Sequence, residues 1–349
     1  MIEFRNVAQE KSELLSTAAF SDGILEWEEA RSIDSVAVFY RGEGEQLKIS
    51  FDLIRNVVQC ANIVNGYPRV LFRKRLKSAI KGSAKIIFNQ YSIEVRLDGS
   101  YIGSSYIDRM SGYVRIHGAR PYDESTVIPK FSAAKAEYKA LFIGDGFTGG
   151  NWPHVNYWMW PDLISKGSYP ILNAGESAAN TRRALEVVER LSSDDVIHFE
   201  EVYIMIGVDD VIDGVPIDET LSNFEEILNA LEKLGDRVYL CTLTPRKDRL
   251  QNLIENLNEH ILGFQSREGV FEIINVAKSF ENESLEEVLF AVDFPNKLGQ
   301  ELIASAVMLV NGDVTVPDCK SKIVLERNFL SKLFHTMGNK FYGLASRVE

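Results

Sequence analysis

Four carboxylates stand where apolar runs break into turns. Leu141-Phe142-Ile143 runs into Gly144-Asp145-Gly146, and Tyr203-Ile204-Met205-Ile206 runs into Gly207-Val208-Asp209-Asp210, with Asp213 close behind. Thr148 and Ser177 add hydroxyls on adjoining stretches. Carboxylates gathered in this way could bind a hard cation or act as an acid/base pair. The five histidines are His117, His154, His198, His260 and His335. Only His154 follows the first turn closely enough to serve as a base there, although a surface or core histidine is the commoner case. Cys60, Cys241 and Cys319 are widely spaced and odd in number, which fits neither a disulfide framework nor a zinc site. Cys241 sits in an apolar run and is expected to be buried and inert. Trp152, Tyr157, Trp158 and Trp160 crowd one short stretch. They could stack on a sugar, but packing of a helix on a sheet is the more frequent explanation.

The elements that must position these groups change character along the chain. Up to about residue 130 the pattern is that of half-buried strands. Leu47, Ile49, Phe51 and Leu53 alternate with Lys48, Ser50 and Asp52, and Tyr91, Ile93, Val95 and Leu97 repeat the pattern before the turn pair Asp98-Gly99. Ser35–Gly42 and Ser111–Gly118 are further strands, so an antiparallel β-sandwich is predicted. The stretch from Arg120 to Glu137, with Pro121 and Pro129, is the expected boundary. Beyond it, non-alternating strands (Lys139–Gly144, Tyr169–Gly175, Glu201–Gly207, Arg237–Leu243, Val270–Val276) take turns with helical stripes. One stripe is Ala184, Leu185, Val187, Val188 and Leu191; another is Leu221, Phe224, Ile227, Leu228, Leu231 and Leu234. Strands buried on both faces and alternating with helices predict a doubly wound parallel sheet, whose site lies beyond the strands' carboxyl ends. A final helix is expected at "LERNFLSKLF".

Composition narrows the function classes. At 45% hydrophobic and 25% charged residues over 349 positions, the chain is an ordinary globular one. No apolar run reaches the roughly 20 residues of a membrane span, and the N-terminus carries no secretory pattern, so a cytoplasmic protein without membrane contact is expected. A net charge of −12 argues against nucleic-acid binding. The charge is uneven. Arg69–Lys85 holds seven Lys/Arg and no acid, whereas Glu186–Asp236 holds 15 Asp/Glu against Arg190 and Lys233. Each segment is either solvated surface or a docking face, the basic one for an anionic polymer or an acidic partner.

Six blocks in order resemble the SGNH (GDSL-type) hydrolases, a flavodoxin-like α/β family of esterases, lipases and carbohydrate deacetylases. They are "FIGDGFTGG", "WPDLI", "ILNAGESAANT", "YIMIGVDD", "CTLTP" and "FPNKLGQELIA", and they span about Glu137–Gly312. In this resemblance Asp145 and Asp210 match acidic positions that shape turns. The positions that carry chemistry in the family depart from it. The nucleophilic serine falls on Gly146, an oxyanion glycine on Ala178 (which keeps its N–H), the oxyanion asparagine on Asp209, the histidine on Phe294 and its aspartate partner on Ala291. A shifted register would pair Asp293 with Asn296 instead; neither register retains a base. A carboxylate at Asp209 has no proton to donate and opposes a developing oxyanion. Because serine and histidine act as a unit, joint loss points to an emptied site.

The sequence therefore predicts a β-sandwich-like domain over 1–134, an SGNH-hydrolase-like α/β domain over 135–312 and an extension over 313–349. It predicts no catalytic residue, metal or cofactor. The expected function is that of an inactive family member binding a glycan or acylated sugar, with Asp145, Thr148, His154, Ser177, Asp209 and Asp210 as candidate ligand contacts. Two alternatives stand beside it: a carbohydrate esterase or acyltransferase using displaced residues such as Asp209, His154 or Ser177, and a scaffold docking proteins through Arg69–Lys85 or Glu186–Asp236.

Overall fold

The computed structural model describes residues 4–6, 13–16, 18–20, 22–76, 79–89, 91–107, 111–118, 130–132, 138–150, 158–165, 169–193, 197–264 and 271–310. The first part is antiparallel. Its strands are β1 (Phe4–Asn6), β2 (Glu13–Ser16), β3 (Gly23–Trp27), β4 (Ile33–Gly42), β5 (Glu45–Asp52), β6 (Val57–Val64), β7 (Tyr67–Arg75), β8 (Ala84–Asn89), β9 (Ser92–Leu97), β10 (Ser100–Tyr106), β11 (Tyr113–Gly118) and β12 (Lys130–Ser132). They form one sheet ordered β1-β2-β11-β4-β5-β6-β7 and another ordered β10-β9-β8-β3-β12. Alternate residues of both sheets enter one core: Val36 and Val38, Ile49 and Phe51, Val58 and Cys60 from the first, Ile86 and Phe88, Ile93 and Val95 from the second. Trp27 meets Phe51 edge to face across the sheets at 5.8 Å, and Phe39 meets Phe88 at 5.4 Å. The strands alternate because one face is buried, and the tight turns fall where side chains tolerate positive φ. Asp98-Gly99 (φ 48° and 74°) joins β9 to β10, and Asn65-Gly66 (φ 52° and 81°) joins β6 to β7.

The second part runs β13 (Ala140–Gly144), α1 (Gly146–Gly149), α2 (Trp160–Ser165), β14 (Ile171–Gly175), α3 (Thr181–Ser192), β15 (Phe199–Met205), α4 (Val208–Asp213), α5 (Ile217–Leu231), β16 (Gly235–Cys241), α6 (Gln251–Gly263), β17 (Phe271–Ile274), α7 (Leu285–Val288), β18 (Leu289–Phe290), β19 (Phe294–Pro295) and α8 (Lys297–Val310). Its parallel sheet has the order β14-β13-β15-β16-β17, the flavodoxin-like arrangement of a doubly wound fold. Every residue of β13 and β14 is buried, as strands covered by helices on both faces must be. Tyr203 lies stacked between Phe142 and Tyr239, 4.9 Å from each, which ties three adjacent strands together. The predicted stripes face inward on α3 and α5, although Leu234 lies past the end of α5. The chain thus has a doubly wound α/β part preceded by a β-sandwich.

The expected boundary at 120–137 lies outside the described residues except for β12, which pairs with β3. The described residues up to Ala306 form one compact unit. Within this unit the sandwich and the α/β part are joined by side-chain contacts, of which the Lys74–Asp162 pair is buried. Lys74 Nζ on β7 meets Asp162 Oδ2 on α2 at 2.7 Å, Arg69 pairs with Glu176 at 2.7 Å, and the Tyr101 ring lies 6.1 Å from that of Trp158. The helix expected at "LERNFLSKLF" lies outside the described residues. Among the described residues no helix is long and apolar enough to cross a membrane.

Candidate functional site

The carboxyl ends of β13, β15 and β16 converge as a doubly wound sheet requires. Asp145 follows β13 and caps α1, its Oδ1 accepting the Phe147 N–H at 2.8 Å. Burial lifts its carboxyl well above the usual range, helped by the negative Asp209 and Asp293, while the Phe147 bond opposes the rise. Gly146, the nucleophile position of the resemblance, is the first residue of α1 and is buried. The turn sits so close to the sheet because two neighbours are glycines. A Cβ on Gly175 would stand 2.2 Å from Gly149 N, and one on Gly144 would stand 2.1 Å from Thr148 Oγ1. Thr148 is fully buried; its Oγ1 accepts Trp160 Nε1–H at 3.2 Å and its carbonyl accepts Asn173 Nδ2–H at 3.0 Å. Gln300 completes the frame, accepting Trp160 N–H at 2.8 Å and donating to Phe147 O at 3.1 Å.

Phe294 and Asn296 of the last block take different places. Phe294 is 1% exposed and meets Phe147 edge to face at 5.1 Å, so its ring fills the space beside α1. Asn296 instead caps α8, its Oδ1 accepting Leu298 and Gly299 N–H, and its Nδ2 donates to Glu287 O. Ala291 lies between β18 and β19 with φ 58°, and Ala178 has φ 59°. Ala178 therefore keeps a backbone conformation that glycine adopts without strain.

The other candidates divide. Asp210 is buried and committed to structure: it accepts Thr181 N–H at 2.8 Å and Thr181 Oγ1–H at 2.5 Å, locking α3 to α4. Burial raises its carboxyl, and the Thr181 bonds oppose that rise. Asp209 is half-buried in the first turn of α4, with its carboxyl pushed up to about 6. Burial is the largest cause, followed by repulsion from Asp213, Asp210 and Asp293; Arg246 opposes it. Ser177 is exposed on the loop before α3. His154, Trp152 and Tyr157 lie outside the described residues. Trp160 is buried under the sheet, which makes it a packing residue, whereas the Trp158 ring is 41% exposed. Cys241 is buried and its thiol is pushed up to about 12 by desolvation.

Sequence reasoning missed Arg246. It follows the Thr-Pro pair of the fifth block, is 6% exposed, and bonds Asp248 twice (Nε to Oδ1 3.0 Å, Nη2 to Oδ2 2.6 Å) and Asp293 through Nη1. The structure thus brings together Asp145, Asp209, Asp293 and Arg246, a carboxylate cluster with one arginine at its edge. Among the described residues no group of three or more His, Cys, Asp or Glu side chains is arranged to hold a metal ion. The charged segments are also partly used up inside the chain. Arg69, Lys74 and Lys85 pair with Glu176, Asp162 and Glu26. In the acidic segment Glu186 pairs with Arg183, Glu201 with Arg237 and Asp236 with His198, while Asp218, Glu219, Glu225 and Glu226 of α5 remain exposed.

No family model and no curated protein sequence matches this chain. Solved structures do. A member of the lipolytic G-D-S-L family from Veillonella parvula DSM 2008 is similar at 19% identity over 50% of this chain and 97% of that one, with a TM-score of 0.44. An acetylxylan esterase from Geobacillus stearothermophilus is similar at 17% identity over 50% and 94%, with a TM-score of 0.41. An alpha/beta hydrolase from the metagenome of Lake Arreo, Spain, is similar at 16% identity over 51% and 97%, also with a TM-score of 0.41.

Proposed function

We propose that this protein is a non-hydrolytic binding protein built on an SGNH-hydrolase-like fold, with a glycan or acylated sugar as its ligand. The observation that carries the reading is the buried Phe147–Phe294 contact beside Gly146. A hydroxyl nucleophile and its base are both replaced there, and an apolar ring occupies the base position. Asp209 and Ser177 can exchange hydrogen bonds with sugar hydroxyls, and the sugar class rests on analogy of fold and blocks. The test is a glycan array together with turnover of p-nitrophenyl acetate and acetylated xylo-oligosaccharides by the full chain. Binding without turnover is expected; saturable turnover abolished by Asp209→Asn overturns the reading.

One observation favours a second reading. A carboxyl pushed up to about 6, as at Asp209, suits a general base near neutral pH. In that case the protein is an esterase or acyltransferase with displaced residues, and Asp209→Asn abolishes its turnover. The scaffold reading retains the exposed acids of α5, and reversing Glu225 and Glu226 to lysine tests it by loss of a stoichiometric partner.

A further inference from the structure

The seven-stranded sheet has a second face, away from the sandwich core. Val36, Ile49, Val58, Phe72 and Ile116 point into the core, so the residues alternating with them point outward. The pairing registers set five of these in one line across the strands. Arg73 lies opposite Gln59, Gln59 opposite Ser50, Ser50 opposite Ser35, and Ser35 opposite His117. With strands about 4.8 Å apart, the line runs roughly 19 Å across β7, β6, β5, β4 and β11. Ser35 is buried, Ser50 and Gln59 are half-buried and Arg73 is exposed, so the open part lies over β5–β7. Arg75 extends it along β7 and Lys48 along β5. A recess of about 430 Å³ lined by Asp34 and Ser50–Ile54 adjoins the line at Ser50.

The charge on this face runs against that of the chain. Net charge is −12, and Arg69, Lys74, Lys85 and Arg115 are all ion-paired. Lys48, Arg73 and Arg75 have no ion-pair partner among the described residues. Two arginines and a lysine, interleaved with the neutral donors Gln59 and Ser50, suit an extended chain that repeats carboxylates and hydroxyls. The line itself carries no aromatic ring on which bases could stack. In the adjoining recess Ile54 is exposed, and the Asp52 carboxylate is occupied by the Ile54 and Arg55 N–H groups and lies 3.8 Å from the Arg55 guanidinium.

We propose that the outward face of β5–β7 binds an acidic polysaccharide, with Arg73, Arg75 and Lys48 reading its carboxylates and Gln59 and Ser50 its hydroxyls. The proposal does not depend on the reading of the strand-end site. The test is calorimetric titration of the full chain with polygalacturonate, dextran and single-stranded DNA, at low salt and at roughly 0.3 M salt, where exposed charges are largely screened. Polygalacturonate should bind at low salt and dextran should not. Arg73→Gln/Arg75→Gln, at exposed positions, should weaken binding at least tenfold, and Lys48→Gln should weaken it further. Lys81→Gln/Lys233→Gln, at exposed positions elsewhere, should leave it unchanged. No binding of polygalacturonate, equal binding of dextran or DNA, or insensitivity to the Arg73 and Arg75 changes would each overturn the proposal.

Discussion

Replacing Asp209 by asparagine should stabilise the protein at neutral pH and leave its stability unchanged in acid. Its carboxyl rises from the usual 3.8 to about 6 in the folded chain. The folded state therefore holds the proton more tightly than the unfolded state between those values. The stability this contributes is fully present below pH 3.8 and is lost as pH rises through 6. At about 1.36 kcal/mol per pH unit the ionised form costs at most about 3 kcal/mol, and about 1–2 kcal/mol after solvent screening of a partly exposed group. Asparagine removes the charge and keeps the shape. Its loss of attraction to Arg246 is small because Arg246 is already held by Asp248 and Asp293. Urea unfolding of both proteins from pH 4 to pH 8 gives the difference directly. It should be near zero at pH 4, grow through pH 5–6 and level off above 7. It should also shrink at high salt, because part of the rise comes from repulsion by exposed Asp213. A variant less stable than the wild type at pH 7, or a gain that does not vary with pH, refutes the argument that burial and neighbouring acids strain this carboxylate.

On the proposed non-hydrolytic reading, Gly146→Ser alone should give no hydrolysis of p-nitrophenyl acetate above background, because that reading leaves the hydroxyl without a base and one missing oxyanion donor alone costs about 2.7–4 kcal/mol. Any activity should require Asp209→Asn, Phe294→His and Ala291→Asp as well; activity in the single variant would show that a base is present after all. Phe294→Ala should cost about 3–5 kcal/mol in unfolding experiments, the usual figure for a fully buried phenylalanine, and a neutral effect would mean that the ring does not fill the space beside α1. Lys74→Met should cost about 3–5 kcal/mol by leaving the Asp162 carboxylate buried and unpaired, with most of it recovered in Lys74→Met/Asp162→Leu. A fragment beginning near Lys135 tests the domain division, since it lacks Lys74; if it is insoluble or melts without cooperativity while the full chain is stable, the two parts share a core.

The two textures of this protein are legible in its sequence, because burial imposes a period on each strand and helix. Leu47, Ile49 and Phe51 alternate since one face is wet, whereas Leu141, Phe142 and Ile143 do not since both faces are covered. It also placed the turns whose conformations need particular residues, and the ordered blocks singled out Gly146, Asp209, Ala291 and Phe294 as the positions to inspect. What surrounds them is a product of folding. That Phe294 rather than Asn296 faces Phe147, that Arg246 holds Asp293, and that Lys74 is spent on Asp162 depend on pairs 147, 47 and 88 positions apart. No local period records such distances. The polar line from Arg73 to His117 was hidden for the same reason. Each residue is visible as an outward position on its own strand, but a slip of one residue in any pairing would turn it to the core, and register is fixed by packing and turns together. The rise of the Asp209 carboxyl likewise required the fold, because burial and the approach of Asp293 from the far end of the chain are products of assembly rather than of sequence neighbours.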